Sequence, residues 1–409
     1  MTVPPAVDRW TPTALLAAPV VAATAWVVVA AAENDTKFSS DGTSQVETAQ
    51  RLIDGLGFGP TLVNSVEHAP FSTAHFPPGL SVVLALLMSL GLSALASALV
   101  INLVSWVATF AACTALYRST WGKPGVWFYG LLGWLAVCGS VVALHQTVMS
   151  EPLYLALSLW FLVLGERWLT GGSWRLGAIT VVLGAAAISV RYVGICLIAA
   201  AAVRVLQQGG TLRRIAARLA AVGAMLVPIV VWYLVNHDSG RKDAPGSTVE
   251  AVKFADVIHS IGSLGSIFSG GIAYSLDDDI LGPLDPVVRG VVLLAGLAAF
   301  AVAAILAVRW WRLQGSTSAQ RLRRARSSRY LLVLDYLVLS TAFLIVYRIP
   351  SGYSILSRYW AMLVVPAAVL LAARASRSSG RWPQRSSLLS AGIVLFLGLN
   401  ALLAVYFHV

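Results

Sequence analysis

Residues 33–92 read ENDTKFSSDGTSQVETAQRLIDGLGFGPTLVNSVEHAPFSTAHFPPGLSVVLALLMSLGL, a polar and acidic stretch between two strongly apolar parts of the chain. The apolar run before it, Thr13 to Ala32, has the length needed to cross a bilayer. Asp41 follows that run closely and heads a short helical pattern that ends at Gly55, so we expect it near the membrane surface. Further on, Pro77 and Pro78 break the chain and open a second apolar segment at Gly79. The stretch is predicted to form a bent polar cap on a membrane domain.

The composition sets the class of protein. Hydrophobic residues make up 58% of the chain, charged residues only 11%, and the mean hydropathy is +0.77. These values predict an all-α polytopic membrane protein that forms a single integral domain over residues 1–409. The first apolar run is longer than the core of a signal peptide and is expected to remain as a helix. The three cysteines fall in apolar runs, so no disulfide framework is implied.

Eleven apolar runs are predicted as transmembrane helices. They are Thr13–Ala32, Ala96–Tyr117, Pro124–Ala143, Pro152–Leu164, Leu176–Val190, Val193–Val205, Ile215–Val235, Val291–Val308, Leu331–Tyr347, Trp360–Ala373 and Leu388–Tyr406. A further segment, Gly79 to Leu92, has only 14 residues and better suits a re-entrant or interfacial helix.

The distribution of charge gives the orientation. The net charge of +11 comes from basic residues next to apolar runs, which is typical of membrane orientation signals and excludes nucleic acid as a partner. If Gly79–Leu92 does not cross, 20 of the 29 basic residues are cytoplasmic and 15 of the 18 acids lie outside. We therefore expect a multi-pass protein of the plasma membrane with a cytoplasmic amino terminus. The loops Glu33–Leu92 and Asn236–Arg289 are then both on the outer face.

Other polar residues converge on the outer face. Glu151 precedes Pro152 at a helix start, Arg191-Tyr192 interrupts two apolar runs, and Arg358 follows Tyr353 near the carboxyl end. Taken singly, Glu151 is equally explained as a helix-dipole cap, and each arginine as an anchor to lipid phosphates. Together with Asp41, they suit the deprotonation of an acceptor beside a bound phosphate.

The order of these motifs resembles the GT-C superfamily, in particular the branch of protein O-mannosyltransferases and lipid A aminoarabinose transferases. The matching features are the acid Asp41 in the first outer loop, AQRLIDG at Ala49–Gly55, PPG at 77–79, SEPL at 150–153 and SRY at 357–359. The resemblance implies a GT-C-like fold with interfacial helices in the first outer loop, residues 33–92, as the catalytic loop. One departure is that relatives carry Asp-Glu and then Tyr where this chain has Asp41-Gly42 and Gln45.

The resemblance also implies roles for individual residues. Asp41 would be the general base, and Glu151 would orient the acceptor or help to hold a divalent metal. His75 would form the wall of the loop beside the prolines. Arg191 and Arg358 would bind the donor phosphate, and the substrate site would also include Tyr192 and Tyr353. No cofactor is required by the motifs, and a divalent metal is left open.

The expected reaction is inverting transfer of a sugar from a polyprenyl-phosphate donor, within membrane lipids, to a hydroxyl of an envelope glycan, glycolipid or protein. The residues 236–289 are expected to act as a lid, and Asp277–Asp279 within them is a weaker candidate for a metal site. The alternative function is a lipid or solute transporter, which Asp335 inside an apolar run suggests. The sequence identifies neither the sugar nor the acceptor.

Overall fold

The computed structural model describes residues 40–58, 76–121, 126–146, 148–236, 331–348 and 357–379. These residues are helical, as the sequence predicts, and form no strand. We number the described helices in chain order as α1 (Ser40–Ile53), α2 (Gly79–Ser89), α3 (Ala94–Trp121), α4 (Val126–Val137), α5 (Gly139–Gln146), α6 (Glu151–Leu169), α7 (Trp174–Val190), α8 (Ile195–Gln208), α9 (Leu212–Ala224), α10 (Val227–Asn236), α11 (Leu331–Arg348) and α12 (Ser357–Ser379).

Helix α6 is the centre of the described structure. Fourteen of its 19 residues are buried, and it packs mainly against α3 and α7, with further contacts to α8, α11 and α12. A helix that is apolar on all sides needs neighbours on all sides. Small residues let those neighbours approach closely, as at Gly184 of α7, where an added Cβ would lie 2.5 Å from the sulfur of Met225.

Two predicted spans are interrupted in the structure. The run Pro124–Ala143 divides into α4 and α5 at Cys138, where Gly139 and Ser140 follow, and a Gly/Ser pair is a common cause of a helix bend. The run Ile215–Val235 divides into α9 and α10 at Met225. Pro228 explains that break, because it has no amide hydrogen to donate into the preceding turn.

Most helices are shorter than a full crossing requires. Among the described residues, α3 is long and apolar enough to cross a membrane over Ala94–Thr120, and six other apolar helices are shorter. Helix α2 has 11 residues, so it is about 16 Å long, roughly half the thickness of a hydrocarbon core. The predicted spans Thr13–Ala32, Val291–Val308 and Leu388–Tyr406 lie outside the described residues, as does the predicted lid.

Helices α1 and α2 form a small second core on one end of the bundle. Ala49 of α1 and Leu80 and Leu84 of α2 are buried together with Ala98 of α3 and Val148. The same end of α3 is fixed by Asn102, whose Nδ2 donates to the carbonyl oxygen of His145 (3.0 Å). This arrangement places α1 and α2 over the start of α6, which we call the Glu151 end.

The opposite end of α6 is the Glu166 end. Fifteen positions separate the two glutamates, which corresponds to about 22 Å along the helix axis. Helix α3 reaches the Glu166 end near Tyr117, whose hydroxyl forms a hydrogen bond of 2.5 Å with Ser376 of α12. Within the described residues, α6 therefore has a glutamate near each end and mostly apolar residues between them.

Candidate functional site

Several helices begin at the Glu151 end. Asp41 lies in the first turn of α1, Pro78 is the residue before α2, and Glu151 is the first residue of α6 with Pro152 behind it. Proline suits these positions because the first amides of a helix have no partner within the helix. Arg191 has an extended backbone (φ −148°, ψ 135°) that ends α7 and leads into the 3₁₀ turn Tyr192–Gly194.

Two glycines bring these helix starts into contact. At Gly42, a Cβ would overlap the carbonyl oxygen of Val148, so the start of α1 lies directly on the segment that leads into Glu151. At Gly79, a Cβ would lie 2.5 Å from the carbonyl oxygen of Ser189, two residues before Arg191. The chain segments that carry Asp41, the two prolines, Glu151 and Arg191 therefore meet in one place.

Glu151 and Arg191 form an ion pair at this meeting point. Nη1 of Arg191 is 2.8 Å from Oε2 of Glu151 and donates to the hydroxyl of Ser150 at 2.7 Å. The Glu151 side chain is 1% exposed and that of Arg191 is 15% exposed, so this is a carboxylate taken out of water and matched by a guanidinium. The sequence predicted Arg191 as a phosphate ligand and did not predict its contact with the second acid.

Asp41 stands at the open start of α1. One turn later, Gln45 is buried and accepts a hydrogen bond from the hydroxyl of Ser81 on α2. Residues four apart lie on the same side of a helix, so Asp41 shares the α2 side of α1 with Gln45. Asp41 is half-buried, beside Gly42, which lies on the Val148 backbone. The Gln45–Ser81 hydrogen bond links α2 to the helix that carries the predicted base.

The remaining predicted residues are less completely placed. Tyr192 is 36% exposed and directly follows the Arg191 ion pair. Arg358 lies in the first turn of α12, 18 positions before Ser376, which is about 27 Å along the axis. Because Ser376 is at the Glu166 end, Arg358 belongs toward the Glu151 end. His75 and Tyr353 lie outside the described residues.

A divalent metal does not fit the described partners of Glu151. A guanidinium already supplies positive charge at 2.8 Å from Oε2, and a second cation there would be repelled. No group of three or more metal-binding side chains occurs within the described ranges, which do not include Asp277–Asp279.

A second ion pair lies at the Glu166 end and was missed in the sequence. Nη2 of Arg204 is 2.8 Å from Oε1 of Glu166, both residues are buried, and Oε2 of Glu166 accepts from the amide of Leu332 at 3.2 Å. Arg204 lies at the end of the predicted run Val193–Val205, and its side chain is fully buried in α8.

Asp335 belongs to the Glu166 end. Its Oδ1 accepts from Nε2 of Gln207 at 3.2 Å, and it follows Leu332 by one turn of α11. The structure therefore does not bring Asp335 together with Asp41 and Glu151.

Compared with models of known protein families, the chain matches none, and it matches no curated protein either.

Proposed function

We propose that this protein is a membrane-embedded glycosyltransferase of the GT-C type, which moves a sugar from a polyprenyl-phosphate donor to a hydroxyl acceptor at the outer face of the membrane. The observation that carries the proposal is the meeting of Asp41, Glu151 and Arg191 at one end of the bundle. Asp41 is 110 positions before Glu151, and Glu151 is 40 positions before Arg191. Two acids and a guanidinium gathered where several helices begin are suited to acid–base chemistry beside an anion.

The polarity of α3 supports the membrane placement. Its outward face carries Val100, Val104 and Val107, of which Val104 is 61% exposed, whereas the buried face carries the hydroxyl groups of Ser105 and Thr109. A helix on the surface of a water-soluble protein would carry polar side chains on its exposed face. Small hydroxyl residues between helices and valines outside are typical of a helix surrounded by lipid.

The proposed reaction is a single displacement. The acceptor oxygen forms a bond to the anomeric carbon while the bond from that carbon to the phosphate oxygen breaks, which inverts the configuration. Asp41 takes the hydroxyl proton, and the polyprenyl phosphate leaves with the electron pair. Glu151, held by Arg191, orients the acceptor. The positive ends of the helices that begin here stabilise the charge that develops on the leaving phosphate.

The test of this proposal is a comparison of Asp41→Asn with Asp54→Asn. Both substitutions remove one carboxylate from α1 or its end, but Asp54 is exposed at the far end, where it accepts a hydrogen bond from Gln50. With purified protein, donor and acceptor, Asp41→Asn should lower single-turnover transfer by about 100-fold or more, the scale for loss of a general base. Donor binding should change little, and Asp54→Asn should retain transfer.

Near-normal transfer by Asp41→Asn would show that Asp41 is not the base, and loss of donor binding would show that it binds the donor.

Reconstitution into liposomes distinguishes the transferase from the alternative function, a transporter. Solute movement that needs no donor, together with the absence of sugar transfer, would support a transporter that depends on Asp335.

A further inference from the structure

A cavity of about 910 Å³ opens at the Glu166 end, on the side of α6 away from the candidate site. Its walls are the turn between α6 and α7, the turn between α8 and α9, and Ser119 of α3. Gly171, Gly209 and Gly210 form parts of these walls and have positive φ angles of 132°, 66° and 128°. Glycine walls leave backbone surface open to a ligand.

The charge of the cavity is positive. Arg167, Arg214 and Arg218 line it, and Glu166 is the one acid among its described lining residues. Glu166 is already matched by Arg204 at 2.8 Å and by the amide of Leu332. Three arginines therefore line the cavity, while the charge of Glu166 is already balanced by Arg204.

Hydrogen-bond donors also face this space. Nη1 of Arg218 donates to Oε1 of Gln208 at 2.8 Å, which turns the amide nitrogen of Gln208 to the other side. This hydrogen bond fixes the guanidinium group of Arg218, and charge-assisted hydrogen bonds from such a group suit an anionic oxygen.

We propose that this cavity binds a phosphate ester, with its phosphate between Arg214 and Arg218. A volume of about 910 Å³ exceeds what phosphate alone would fill, so the phosphate should carry a substituent. Exposed apolar residues flank the walls, namely Leu206, Leu212 and Trp174, which are 59%, 82% and 77% exposed. A phospholipid head group and a soluble phosphate ester share this chemistry. The site is independent of the transfer reaction.

The experiment measures binding of three probes to the purified full chain in uncharged detergent. Phosphatidylglycerol carries phosphate and acyl chains, diacylglycerol carries the acyl chains alone, and glycerol 3-phosphate carries phosphate alone. The variant Arg214→Gln/Arg218→Gln should weaken binding of the phosphate-bearing probe at least about 10-fold. Arg213→Gln is the control, since it removes one positive charge from the same helix at a residue that does not line the cavity, and it should change affinity less than about 2-fold.

The Arg214→Lys/Arg218→Lys variant separates folding from recognition, because it keeps the charge and should keep part of the affinity. Tight binding of phosphatidylglycerol alone would support a lipid ligand, and comparable binding of glycerol 3-phosphate would support a soluble one. Diacylglycerol binding as tightly as phosphatidylglycerol would overturn the proposal. An Arg213→Gln effect equal to that of the double variant would overturn it as well.

Discussion

Glu151 is a carboxylate that water scarcely reaches, and its charge is tolerable because Arg191 lies 2.8 Å away. Removing one member of a buried pair leaves an uncompensated charge, which costs more than the pair contributes. Arg191→Ala should therefore lower the free energy of unfolding by roughly 3 kcal/mol. Replacing both residues, as Glu151→Gln/Arg191→Ala, should recover much of that loss because the buried charge is gone.

Thermal unfolding in detergent measures both variants. Arg175→Ala is the control, since Arg175 is exposed and its described contact is with the ring of Trp174 at 5.8 Å. A double variant as unstable as Arg191→Ala would mean that the packing of the arginine, not its charge, stabilises this end. Sugar transfer by Arg191→Lys should lie between that of Arg191→Ala and that of the unchanged protein, because an ammonium group cannot reproduce the planar guanidinium contacts.

For individual residues, the sequence predicted which residues lie near one another better than it predicted which side chains form ion pairs. Counting charges grouped Asp41, Glu151 and Arg191, and the structure brings the chain segments that carry them together. The Glu151–Arg191 pair was not predictable, because the two residues are 40 positions apart and the turn before α8 decides which group the guanidinium reaches. The Glu166–Arg204 pair was not predictable either, because the two residues are 38 positions apart and lie on different helices.

The positions of α1 and α2 depend on two close backbone contacts, each made by a glycine where a larger residue would not fit. Gly42 lies on the Val148 backbone, and Gly79 lies on that of Ser189. Gly42→Ala and Gly79→Ala should each destabilise the protein by about 1 to 3 kcal/mol, the usual cost of overpacking. Both should also lower transfer, because Asp41 would move away from Glu151.

Gly130→Ala in α4 is the matched control, since nothing lies within 4 Å of its added Cβ. That variant should be neutral or more stable by up to about 1 kcal/mol, because alanine favours a helix. Stability and transfer measured together distinguish the outcomes. Full transfer by Gly42→Ala would show that the site does not need this close approach.

Helix ends were predictable where proline and glycine act locally. Pro152 and Pro78 mark the starts of α6 and α2 as expected. The breaks at Cys138 and Met225 were missed because the apolar pattern continues through both, and mean hydropathy is insensitive to a single missing amide at Pro228. The packing of α1 against α2 was beyond the pattern as well, because it depends on Gln45 and Ser81, which are 36 positions apart.

The described helices carry polar residues at both ends of α6, and the proposed orientation in the membrane is testable because Cys113, Cys138 and Cys196 are all buried. A single cysteine at Gln50, exposed on α1, should react with a membrane-impermeant thiol reagent in intact cells. A cysteine at Ser173, exposed in the turn between α6 and α7, should react only after the membrane is opened.

Reaction at Ser173→Cys in intact cells, with Gln50→Cys protected, would invert the proposed orientation and move the candidate site to the cytoplasm. The described residues are mostly helical and form no strand, which agrees with the all-α class predicted from composition. The number of spans and the GT-C fold stay predictions, since they depend on runs outside the described residues.

The two ion pairs of α6 also constrain how the chain is made. Each glutamate on this helix precedes its arginine, Glu151 by 40 positions and Glu166 by 38. At a synthesis rate of roughly 5 to 20 residues per second, each carboxylate waits about 2 to 8 seconds for its counterion. In the proposed membrane setting, a newly made α6 carries during that interval two acids that are costly to leave in lipid. Release of α6 from the insertion machinery should therefore be delayed until α8 has been synthesised. The three helices α6, α7 and α8 would then enter the bilayer together.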